Sequence, residues 1–98
     1  MRRAYYDASI AAFLRMEDSH VLGELAKHHG HALDQLQRNA WLAQIQHLKE
    51  VLTDWPVGHV LLEYAIPRMG KRADVVLMLK GVVFVLEYKV GAESYSSH

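Results

Sequence analysis

Residues 72–90 read RADVVLMLKGVVFVLEYKV, and how they pair decides the fold. Two apolar runs, 75–79 and 82–86, flank Lys80-Gly81, which reads as a two-residue hairpin turn. With the turn there, Leu79 faces Val82, Leu77 faces Phe84, Val75 faces Leu86 and Asp74 faces Glu87. One step further out, Arg72 faces Lys89. Strict alternation puts Arg72, Asp74, Val76 and Met78 on one face with Val83, Val85, Glu87 and Lys89. The other face, from Val75, Leu77 and Leu79 through Val82, Phe84, Leu86 and Tyr88, is apolar.

Directly opposed side chains in such a pair stand about 5 Å apart at Cβ, and like charges there are destabilising. Here two carboxylates oppose each other, with two cations opposed beyond them. Strands apolar on both faces call for cover on both sides, which sets these charges beside buried surface. A divalent cation between Asp74 and Glu87 removes the conflict, because hard cations take carboxylate oxygens. Lys89 would then reach a phosphate or a water at that metal. The other reading is that the strand ends protrude and the charges are simply solvated.

The chain has 98 residues, enough for one small domain or part of one, and 51% of them are hydrophobic, which argues against disorder. Eleven acids balance eleven bases, so net charge points to no nucleic-acid or membrane partner. Local charge differs: Arg68, Lys71 and Arg72 fall within five residues. The absence of cysteine excludes a disulfide scaffold or a Cys-ligated zinc and fits a reducing cytoplasm. No apolar run is long enough to span a bilayer, and MRRAYYDAS carries no secretory signal, so the expected location is cytoplasmic.

Before the hairpin the spacing predicts helices. Residues 7–16 form a short one, capped by Asp7 or Ser9, with Ile10, Phe13 and Leu14 on one side. Residues 18–28 form a second, capped by Asp18 or Ser19, with Val21, Leu22 and Leu25 inward and Gly30 closing it. Residues 34–54 form the strongest, with Asp34 and Gln37 as a capping box and a stripe of Trp41, Ile45, Leu48 and Leu52 covering one sheet face. At roughly 100° per residue, Glu50 lies about half a turn from that stripe and faces solvent. Trp55-Pro56 and Gly58 end the helix. HVLLEYAI, 59–66, is a first strand with Leu62, Tyr64 and Ile66 on one face and Leu61, Glu63 and Ala65 on the other; PRMG then loops into the hairpin.

Other candidates carry less. His28, His29 and His31 lack the i, i+4 spacing of ligands on one helical face and read as an exposed helix end. His47 lies off the stripe and reads as surface. Gly70-Lys71 lacks the spacing of a phosphate loop, and Ser94, Ser96 and Ser97 in the polar tail have no nucleophile elbow. The PRMGKR loop is either a solvated turn or a phosphate contact.

A helix and then three strands, with GKRADVVL followed by VVFVLEYKVG, resembles the PD-(D/E)xK nuclease superfamily and its GxxxD…(E/D)xK signature. More narrowly, nearly the whole chain resembles the N-terminal nuclease-like segment of a bacterial family that continues into a P-loop helicase-like domain. The resemblance implies an α+β, restriction-endonuclease-like fold: N-terminal helices (1–31), a core helix (34–54), a three-stranded antiparallel sheet (59–90) and a tail (91–98), forming one partial domain. It implies that Asp74, Glu87 and the Tyr88 carbonyl hold Mg²⁺ or Mn²⁺. Lys89 would orient the attacking water and stabilise phosphorane charge, and Glu63 rather than Glu50 would be the additional acid. Arg68, Lys71 and Arg72 would hold nucleic-acid phosphates, on DNA before RNA, without reading bases.

Ala73 stands where the superfamily's name has proline. The chain also ends before the second core helix and fourth strand of that superfamily. The uncovered apolar face and unpaired edge then imply a homo-oligomer through edge pairing or exchanged elements. Three functions follow: a metal-dependent nuclease, a non-catalytic nucleic-acid-binding module beside a helicase-like protein, or a small interaction domain.

Overall fold

The computed structural model describes residues 3–29 and 34–88. In chain order it contains β1 (Ala4–Ser9), α1 (Ile10–Arg15), α2 (Asp18–His29), α3 (Gln35–Leu52), β2 (His59–Ile66), β3 (Lys71–Leu79) and β4 (Val82–Leu86). The fold is α+β, with helices followed by an antiparallel meander. The sheet has four strands in the order β1-β2-β3-β4, not the three expected.

The extra strand is β1. Residues 7–9, expected inside the first helix, instead extend the β-prone Tyr5-Tyr6 segment and pair with β2, Asp7 opposite Leu61 and Ser9 opposite His59. Of the two N-caps expected for that helix, Ser9 is the one used: its side chain accepts from the Ala12 N–H at 3.1 Å. At α2 the Glu17 carbonyl accepts from His20 and Val21, and Asp18 lies inside the first turn, paired with Lys49 at 2.7 Å. At α3 the Asp34 carboxylate accepts from the Gln37 N–H at 2.8 Å, the backbone half of the expected box.

The hairpin pairs as its turn dictates. Lys80 and Gly81 both have positive φ, 49° and 81°, the backbone of a type I′ turn. Leu79 faces Val82, Leu77 faces Phe84 and Val75 faces Leu86. Gly58 holds the other end of the sheet: its carbonyl accepts from Ile10 at 2.9 Å, and its φ is 136°.

All three helices join one sheet face in a single core. Ile10 and Phe13, Val21 and Leu25, and Trp41, Ile45, Leu48 and Leu52 pack with Tyr6, Val60, Leu62, Val75 and Leu77. Each fully buried large aliphatic or aromatic contributes about 1.5–3 kcal/mol of transfer free energy. The opposite face carries a smaller cluster of Ala4, Leu61, Ala73 and Val76, flanked by Tyr64 and Ile66.

These clusters overturn the alternation read from the sequence. Leu62 belongs to the helix side but Tyr64, two residues on, to the other; Val75 and Ala73 divide the same way, as do Tyr6 and Ala4. No residue is inserted, since Leu62 opposite Val75 and Tyr64 opposite Ala73 keep one register. The sheet therefore changes face across the row of Tyr5, Glu63 and Asp74. Glu63 has φ 55°, a left-handed conformation costing about 1–3 kcal/mol for a non-glycine residue. That local reversal moves Tyr64 and Ile66 to the face of Leu61, where alternation had placed them with Leu62.

Candidate active site

The face change gathers the site. Glu63, assigned by alternation to the face of Leu61, hydrogen-bonds the side chain of Trp41 on α3, so it lies on the helix side. Its carboxyl pKa is raised above the usual range. Burial is the main cause, and the negative charges of Asp74 and then Glu87 add to it; the Trp41 hydrogen bond and the Arg72 guanidinium oppose it. Three carboxylates from three successive strand positions thus act on one another, with Asp74 the strongest charge on Glu63. Glu50, the acid set aside, is exposed on α3.

Asp74 is also tied to the segment after β4. Its Oδ2 accepts from the Tyr88 backbone N–H at 2.6 Å, and Asp74 and Glu87 occupy the next step of the β3–β4 register beyond Val75 and Leu86. The Tyr88 phenol runs back to α3: its oxygen lies 2.8 Å from His47 Nδ1, and the two rings meet edge to face at 5.6 Å. Burial, then the Asp74 charge, pushes the Tyr88 pKa up. His47 is exposed as expected, yet it anchors the residue between Glu87 and Lys89.

The cations divide. Arg68 and Lys71 are exposed at the turn between β2 and β3, where Arg68 and Gly70 take positive φ. Arg72 is engaged within the fold: it donates to the Glu63 carbonyl at 2.7 Å and to the Arg3 carbonyl at 3.2 Å, and stacks 4.4 Å over the Tyr5 ring. Tyr5 in turn meets Trp41 edge to face at 6.4 Å. Lys89, His31 and the tail serines lie outside the described residues. His28 pairs with Glu24 at 3.8 Å and lies 6.0 Å from the Tyr5 ring; His29 meets Trp41 edge to face.

Sequence reasoning missed Trp41, Gln44 and His47 as site residues. The stripe reads Trp41 only as core, and His47 only as surface. Their three-residue spacing runs along one edge of that stripe, the signal that they share a helix face. Gln44 between them is 3% exposed, and its Nε2 has no hydrogen-bond partner among the described residues.

The donor set of Glu63, Asp74 and Glu87 is all carboxylate oxygen, the chemistry of hard divalent cations, and a cation would relieve the repulsion that raises Glu63. Among the described residues no three His, Cys, Asp or Glu side chains close into a complete cage. That suits Mg²⁺, which keeps several waters and takes one or two carboxylates. No helix among the described residues is long and apolar enough to cross a membrane. Compared with known proteins, the chain matches no family model, no curated protein and no solved structure.

Proposed function

We propose that this chain is a metal-dependent nuclease domain, or a fragment of one, related to the PD-(D/E)xK superfamily and acting on nucleic-acid phosphodiester bonds. The observation that carries the reading is the face change at Glu63, which brings the carboxylates of Glu63, Asp74 and Glu87 into mutual interaction beside α3. Asp74 and Glu87, with the Tyr88 carbonyl, would hold Mg²⁺ or Mn²⁺. A bound divalent cation lowers the pKa of water and neutralises phosphate charge. Glu63, with its raised pKa, is suited to accept or return a proton near neutrality. Lys89 follows Glu87 and Tyr88 in the ExK string and supplies the ammonium that faces the developing phosphate charge. Arg68 and Lys71 are exposed for backbone phosphates; Arg72 orients the site through Glu63 and Tyr5.

The test is cleavage of mixed DNA and RNA substrates with Mg²⁺ or Mn²⁺, comparing wild type with Asp74→Ala, Glu87→Ala and Lys89→Ala. Loss of cleavage in the variants supports the reading, and equal cleavage by all four refutes it. The incomplete cage favours a second reading, a non-catalytic nucleic-acid-binding module, whose mark is salt-sensitive binding that survives Asp74→Ala. The exposed β4, with Val82, Val83, Phe84 and Val85 all 45–60% open, supports self-association through that edge. A concentration-independent monomer mass by light scattering would exclude it.

A further inference from the structure

Gln44 is the polar side chain that the fold buries without satisfying. It is 3% exposed, its Nε2 is closed to solvent, and no acceptor among the described residues reaches it. Leaving a buried amide donor unpaired costs about 1–3 kcal/mol, so such a group calls for an explanation. Its position supplies one. Trp41 and His47 bracket it at three-residue intervals on α3; Trp41 touches Glu63, and His47 touches Tyr88. Glu63 is one step across the ladder from Asp74, and the Tyr88 backbone is bonded to Asp74. Gln44 therefore faces the space between its neighbours' partners, where the carboxylates gather.

The chemistry of the orphan atom selects its ligand. An amide N–H has nothing to offer a cation, and the nearby carboxylates are the cation's ligands. What it suits is an anionic oxygen brought to the site with the metal. Building on the nuclease reading above, we infer that the Gln44 side-chain amide donates to a phosphoryl oxygen of the phosphodiester held at Glu63, Asp74 and Glu87. Gln44 is then a substrate-binding residue contributed by the helix, separate from the cation ligands contributed by the sheet.

The test uses the full chain and three measurements on wild type, Gln44→Met, Gln44→Glu and Asp74→Asn: thermal melting without metal, Mn²⁺ binding by titration, and anisotropy of short labelled DNA with Ca²⁺ as the cation. Gln44→Met keeps the volume and removes the donor. It is expected to melt no lower than wild type, to bind Mn²⁺ within about twofold, and to lose about tenfold or more in DNA affinity. Gln44→Glu, which sets a negative charge against the phosphate, loses more. DNA binding by Gln44→Met equal to wild type overturns the inference while leaving the nuclease reading intact. So does a parallel loss of melting temperature, Mn²⁺ and DNA affinity, which would make Gln44 a packing residue. Failure of wild type to bind Mn²⁺, or Mn²⁺ binding unchanged by Asp74→Asn, removes the nuclease reading and this inference with it.

Discussion

Gly58 is where the helical and sheet halves of the fold are pinned together, and Gly58→Ala tests that junction quantitatively. Its φ of 136° lies in a region L side chains rarely adopt, worth about 1–3 kcal/mol of strain. An added Cβ would also stand 2.5 Å from the Met78 carbonyl oxygen, 2.7 Å from Leu79 Cδ2 and 3.2 Å from Ile10 Cδ1. The leucine and isoleucine tips can rotate away; the carbonyl belongs to the β3 backbone and cannot, so overpacking adds about 1–3 kcal/mol. The total is about 2–6 kcal/mol, against the roughly 5–15 kcal/mol that holds an ordinary domain folded. Gly81→Ala is the control: its φ is also positive, 81°, but nothing lies within 4 Å of an added Cβ there, so only the backbone part should appear. Urea unfolding of both variants, followed by far-UV circular dichroism and tryptophan fluorescence, separates the two contributions. The reasoning fails if Gly58→Ala unfolds within about 0.5 kcal/mol of Gly81→Ala, because the clash would then have no weight.

Three further outcomes follow from the site and core. Because the Glu63 carboxyl is raised in the folded state, its stabilising contribution is complete below the unfolded carboxylate range and is lost as pH rises through the folded value. The neutral amide of Glu63→Gln mimics the protonated acid, so that variant should be the more stable near pH 7–8 and match wild type near pH 4 by thermal melting, while metal-dependent cleavage falls. Tyr88→Phe and His47→Ala should each cost about 0.5–1.5 kcal/mol and together little more than either alone, which a double-mutant cycle in urea measures. Leu48→Ala, at a fully buried position on α3, should cost about 2–5 kcal/mol in the same assay, and a loss under about 1 kcal/mol would contradict its place in the core.

Much of the fold was legible because it is written in local chemistry. The Lys80-Gly81 turn set the hairpin register, the Asp34 cap and the apolar stripe set α3 to within two residues, and β2 matched its alternating run from His59 to Ile66. β1 was lost because Asp7 and Ser9 are good cap residues, and Ser9 does serve as one; what makes 4–9 a strand is pairing with β2, more than fifty residues away.

The sequence alone determined which residues are acidic, where the hairpin turns and which stripe of α3 is apolar, since each depends on neighbours a few positions apart. Only the tertiary structure decided that Glu63 faces the helices. Alternation assigned it to the opposite side, and a single left-handed φ in a strand leaves no trace in residue spacing. Likewise the roles of Trp41, Gln44 and His47 come from what lies across from α3 in space. Long-range contacts choose among local options that cost nearly the same.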